Sequence, residues 1–178
     1  MAAKPICPTN VELLKQLLLD MSQQRRLDKV LTLIVDRLAG QPEVALARVW
    51  LIEPGDLCDV CYLAEECKDR TSCLHLVASA GSSRKTGAEW NQLDGSFRRF
   101  PIGVRKVGRI AATGAALEVP DIDEHPDILA NPDWARAEGI QAIGGQPLVH
   151  QGEVLGVLAV FTRARLGEEN LTWMRTIA

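Results

Sequence analysis

Near the C-terminal end, IQAIGGQPLV (Ile140 to Val149) and EVLGVLAVFT (Glu153 to Thr162) flank the short segment His150-Gln151-Gly152. Two apolar runs around a glycine-containing turn predict a β-hairpin. The second run is almost wholly apolar, which predicts a central strand covered on both faces. VALARVWLI (Val44 to Ile52) has the same character, interrupted only by Arg48, and predicts a second central strand. Pro54-Gly55-Asp56 ends it, and LHLVASAG (Leu74 to Gly81) is expected to return antiparallel beside it.

Helical periodicity occupies much of the remainder. Leu13, Leu14, Leu17, Leu18 and Met21 recur at helical spacing after Asn10, a candidate cap, with Glu12 in the first turn. Leu27, Val30, Leu31, Ile34, Val35 and Leu38 follow, stopped by Gly40 and Pro42. The polar stretch Ser22 to Arg26 between them is compatible with a kink, a turn or a continuous helix. The first segment carries more leucine than one buried stripe needs, which suggests dimerisation. Residues 82–103 read mostly as loop. VGRIAATG (Val107 to Gly114) reads as a short helix with Gly114 past its end. Leu117 to Val119 is a brief strand, and Asp121 to Asp133 a turn-rich acidic loop. A short helix then starts with Asn131 as cap and Pro132 in its first position.

At 178 residues with 47% hydrophobic content, the chain suits one domain with a helical extension. A net charge of −3 without a basic run argues against direct nucleic-acid contact. No stretch is long and apolar enough for a membrane span, and MAAKPICPTN lacks a signal-peptide core. A cytoplasmic location is therefore expected, where thiols stay mostly reduced.

The strings VGRIAATG, LEVPDID and ARAEGIQAIGGQPLVHQGEVLGVLAVF, in that order and spacing, resemble a GAF domain over about residues 27 to 178. The resemblance implies an α/β (α+β) fold: an antiparallel sheet of about six strands, terminal helices on one face, and short helices and loops over a small-molecule pocket on the other. It implies residues 1–40 as a helical segment within the fold, 41–166 as the core with a cysteine-rich insertion at 54–73, and 167–178 as the start of a helix leading to an output module. Such modules include histidine kinases of two-component systems, cyclic-dinucleotide enzymes and transcription activators. CLHLVASAG is similar to GAF domains ahead of sigma-54-type activators or kinases. Pocket candidates are Trp90 and Trp134, nearest the expected lid; Asp121 and Asp123 in the acidic loop; and Gly144 and Gly145, where backbone can approach a ligand or a helix.

Cys58, Cys61, Cys67 and Cys73 form a C-x2-C-x5-C-x5-C series. Four thiols this close suit zinc or an iron–sulfur cluster, although the second half is looser than usual zinc spacing. His75 is placed to replace one ligand. Reduced thiols and disulfides are the plainer alternatives. Some GAF proteins reduce free methionine sulfoxide with a cysteine in the segment before the short helix; IGVRKVGRIAATG has none, and no enzyme activity is expected. The family's cyclic-nucleotide signature is absent, and Cys73-Leu74-His75 is misplaced for bilin attachment. Asp121, Asp123, Glu124 and Asp127 offer hard oxygens and His125 a nitrogen, but without a calcium-loop pattern a solvated turn is the better reading. The expectation is a homodimeric sensory domain that binds a small ligand and signals through its terminal helices, with a metal- or cluster-based redox sensor as the alternative.

Overall fold

Gln151 and Gly152 both adopt positive φ (53° and 85°), the two-residue hairpin geometry whose twist matches the flanking strands. They join Ala142–His150 (β5) to Glu153–Thr162 (β6) in the computed structural model, which describes residues 11–125, 129, 131–167, 172 and 174–176. Asn10, Asp127, Trp173 and Cys7 lie outside the described residues. Of the helix expected from Gly167, residues 172 and 174–176 are described and helical.

The preceding strands are Val44–Pro54 (β1), Ser72–Gly81 (β2), Arg99–Pro101 (β3) and Leu117–Val119 (β4). All pairings are antiparallel, in the order β3-β2-β1-β6-β5-β4, so the two most apolar strands occupy the centre. Residues 82–103 are mostly loop, as read, but include β3. Only three residues pair there, with Cys73, Leu74 and His75, too few to leave an alternating pattern. Pro147 is tolerated in β5 because β4 pairs only with Ile143 to Gly145, leaving that side of Pro147 without a strand.

Val11–Ser22 (α1) and Leu27–Ala39 (α2) are separate helices, with Arg26 extended between them. Leu31, Ile34, Val35 and Leu38 of α2 pack on one face of the sheet against Ala47, Val49, Leu158 and Val160, and Leu166 and Met174 join them. Arg105–Thr113 (α3), closed by Gly114 in the left-handed conformation, covers the other face. Pro132–Glu138 (α4) begins as expected: the Asn131 side chain accepts from the Trp134 N–H at 3.0 Å. Terminal elements thus sit on one face and short helices on the other.

A register shift between Val49 and Trp50 leaves Val77 as the extra residue of β2. Because side chains alternate along a strand, this extra residue reverses the order. Leu74 and Leu76 face α3, whereas Ala78 and Ala80 turn to α2 and Ser79 turns back to the α3 side.

Candidate functional site

Between the sheet and helices α3 and α4 lies a cavity of about 300 Å³. Its floor alternates correctly for a single face: Leu46, Arg48 and Trp50 from β1, Ile143 and Gly145 from β5, and Ala159 and Phe161 from β6. Every phenylalanine and three of the four tryptophans line it, so the chain's small stock of aromatic residues is concentrated here. Trp90 and Trp134 are 5.5 Å apart between ring centroids, and Trp134 meets Phe161 edge-on at 5.7 Å. At the opposite end Trp50 stands edge-on to Phe100, and its indole N–H donates to the Phe97 carbonyl at 3.0 Å.

Arg48 is the unusual member. Its Nε donates to Ser79 Oγ at 3.1 Å, and Ser79 Oγ donates to the Trp90 carbonyl, tying the tryptophan loop to β2. Burial lowers the guanidinium pKa from its ordinary value, and among the described residues no acidic side chain lines the cavity. Arg105 and Lys106 add positive charge at the α3 edge, where burial, then Arg109 and Arg105, lower the Lys106 pKa. The cavity therefore combines aromatic walls with cationic groups, a setting suited to an organic anion.

Of the pocket candidates read from the sequence, Trp90, Trp134 and Gly145 line this cavity. Gly144 does not: it faces the other way, where a Cβ would collide with Met174. A Cβ on Gly145 would collide with the Ile110 side-chain end, so the two glycines accommodate packing on opposite faces of the sheet. Asp121 and Asp123 are not among the lining residues. Asp121 is buried, accepts from the Asp123 N–H at 3.1 Å and pairs with Arg165, which corrects the solvated-turn reading for this residue alone; Asp123, Glu124 and His125 are exposed. Arg48, Phe97, Phe100, Phe161, Arg105 and Lys106 were not singled out by sequence reasoning. For Arg48 a signal existed: it is the one charged residue within VALARVWLI, at a position whose neighbours two residues away point inward.

The cysteines gather elsewhere. Cys58, Cys61, Cys67 and Cys73 line a second cavity, of about 20 Å³, at the end of the β1–β2 pair. All four are free thiols. Cys67 Sγ donates to the Asp69 carbonyl at 3.0 Å, Cys58 Sγ contacts the Arg70 carbonyl at 3.5 Å, and the Leu63 N–H donates to Cys61 Sγ at 3.4 Å. Burial pushes the Cys73 thiol up to about 11; burial and then neighbouring Cys58 raise Cys67. Beside them, Asp56, Cys73 and His75 offer ligand atoms within 4.8 Å of one another. Asp56 is held by Arg99 through two hydrogen bonds, chiefly responsible for lowering its pKa to about 2. His75 Nδ1 lies 3.3 Å from Glu53, while its buried Nε2 has no hydrogen-bond partner among the described residues.

No helix among the described residues is long and apolar enough to cross a membrane. No curated protein matches the chain. Solved structures do. The GAF domain of a phosphoenolpyruvate-protein phosphotransferase from Coxiella burnetii is 19% identical, with a TM-score of 0.65 over 94% of this chain and 86% of that one. A free methionine-R-sulfoxide reductase from Neisseria meningitidis, in complex with its substrate, is 17% identical, with a TM-score of 0.65 over 99% and 91%. The nlh2 GAF domain of A. aeolicus, in an inactive state, is 16% identical, with a TM-score of 0.61 over 93% and 86%. At these identities the likeness is one of fold, and it extends to an enzyme as well as to GAF domains of other proteins. The family model of the GAF domain matches residues 24–178, and the chain belongs to that family.

Proposed function

We propose that the chain is a cytoplasmic, non-enzymatic sensory domain whose 300 Å³ cavity binds a small organic anion with an apolar or aromatic body. Membership of the GAF family supports a ligand-binding regulatory role in general. The observation that carries the finer reading is Arg48, a cation inside an aromatic cavity whose lining, among the described residues, has no acidic side chain. A ligand carboxylate, sulfonate or phosphate would supply the missing negative charge, while Trp90, Trp134 and Phe161 would take its apolar body. The non-enzymatic reading is supported by the lining itself, which among the described residues includes no cysteine. Occupancy would pass through the terminal helices to an output module, in a homodimer whose two packings differ in ligand affinity.

The fluorescent anion 8-anilino-1-naphthalenesulfonate tests the reading. Saturable binding with quenching of tryptophan fluorescence is expected. Arg48→Met should weaken it roughly tenfold, the effect expected for one charge-assisted hydrogen bond. A neutral aromatic probe should bind both proteins alike. Equal affinity of wild type and Arg48→Met for the anion would refute the anionic ligand class.

A further inference from the structure

The insertion between β1 and β2 is held by backbone turns and a few exposed polar contacts, among them Arg70 with Asp59. Residues 55–71 contain neither helix nor strand, yet successive backbone hydrogen bonds fold them: Val60 N–H to Leu57, Ala64 to Cys61, Glu66 to Leu63 and Cys67 to Ala64. A structureless segment this long within a domain generally carries a function of its own. Its apolar anchoring is slight. Leu63 packs with Trp50, Leu74, Leu76 and Phe100, whereas Val60 and Tyr62 are 72% and 71% exposed.

What the segment does share is one point of convergence. Gly55 donates to the Thr71 carbonyl at 3.0 Å, and a Cβ on it would collide with the Arg70 carbonyl and lie 3.0 Å from Cys58 Sγ. Glycine there lets the two arms of the insertion close, bringing Cys58 and Cys61 opposite Cys67 and Cys73 around the 20 Å³ cavity. That volume is about the space one water occupies, enough for a single ion and too small for iron atoms with bridging sulfides. The Leu63 N–H on Cys61 Sγ is the kind of amide donor that supports a thiolate ligand.

We propose that Cys58, Cys61, Cys67 and Cys73 bind one thiophilic divalent cation of the zinc class, which staples the insertion to the sheet. Zinc–sulfur bonds of about 2.3 Å place tetrahedral ligands about 3.8 Å apart, so binding draws together sulfurs of which no three now lie within 4.8 Å of one another. Each thiol loses its proton to solvent as its bond to the metal forms, and nothing is oxidised or reduced. The neighbouring group of Asp56, Cys73 and His75 competes only for Cys73. Asp56 is already committed to Arg99, and Glu53 lies beside His75 Nδ1.

The test is metal analysis of the full chain, purified anaerobically from zinc-supplemented cells, followed by exchange with cobalt(II). One zinc per chain is expected, with the absorption of tetrahedral thiolate-bound cobalt after exchange. Cys58→Ser and Cys67→Ser should lose the metal, whereas Cys7→Ser and His75→Ala should retain it. Should the cysteine variants fail to fold, wild-type protein titrated with an organomercurial must release its zinc in step with the loss of four thiols. Metal-free protein, iron with acid-labile sulfide, or zinc that survives Cys58→Ser and disappears in His75→Ala would each overturn the proposal.

Discussion

Arg105, the first residue of α3 and part of the main cavity's lining, is ion-paired with Glu66 of the cysteine-rich insertion. The pair ties the main cavity's lining to the insertion through one guanidinium. Arg105 also carries a positive φ of 54°, which an L-residue adopts only at a cost. Both partners are about half exposed, so the pair should contribute less than about 1 kcal/mol to stability. Its effect on binding should be more visible. Glu66 competes with an anionic ligand for Arg105, and Glu66→Gln is expected to tighten binding of the sulfonate probe roughly two- to fivefold. Fluorescence titration checks this; weaker binding would show that Glu66 holds Arg105 in the useful position.

Two glycines of the central hairpin should respond very differently to one added methyl group. At Gly144 the obstacle is the flexible end of Met174, and Gly144→Ala should cost about 1 kcal/mol or a little more. At Gly156 the obstacle is the Trp50 carbonyl in the neighbouring strand, which cannot move without breaking the β1–β6 ladder. Gly156→Ala should cost about 3 kcal/mol or prevent folding. Denaturant midpoints of the two variants decide the order.

Glu138 at the end of α4 accepts from Ser83 Oγ at 2.7 Å and the Arg84 N–H at 2.9 Å, with Arg163 3.6 Å away. Burial pushes its pKa up, but these bonds and the Arg163 charge outweigh burial and leave it lowered from 4.5. A carboxylate more acidic in the folded state contributes stability above its unfolded pKa and loses it as pH falls through the folded value. Wild-type protein should therefore lose stability below about pH 4.5 more steeply than Glu138→Gln. At neutral pH the substitution should cost about 1–3 kcal/mol. Parallel acid dependences would rule this carboxylate out as a contributor.

Leu18 and Leu19 of α1 are 54% and 56% exposed, while Leu17 beside them is buried. Pairing of α1 with a second copy of the chain would cover them. Sedimentation at micromolar concentration should give a dimer, and Leu18→Glu with Leu19→Glu a monomer of unchanged circular dichroism. A wild-type monomer would remove the dimer from the signalling scheme.

The architecture was legible because its signals are strong and local. The apolar character of β1 and β6 places them centrally, the positive-φ turn Gln151-Gly152 joins β5 to β6, and Asn131-Pro132 opens α4. The site was legible only in part. Trp90 and Trp134 follow from their place nearest the expected lid, whereas Phe100 arrives in β3, three residues with no pattern of their own, and Phe97 just before it. Asp121 looked like loop acid because its partner, Arg165, is distant in sequence. Gly144 and Gly145 read alike in one dimension, and only the alternation of the strand separates their neighbours.

That separation leaves β5 without a side chain on either face at two successive residues. Between Ile110 of the helix bordering the cavity and Met174 on the opposite side, the partition is one peptide thick. Side chains elsewhere in the sheet can change rotamer and absorb a push, but bare backbone has no such slack. A ligand that shifted α3 by a fraction of an ångström would press directly on the terminal element. The cavity side and the terminal element therefore come nearest to each other where the sheet is bare backbone.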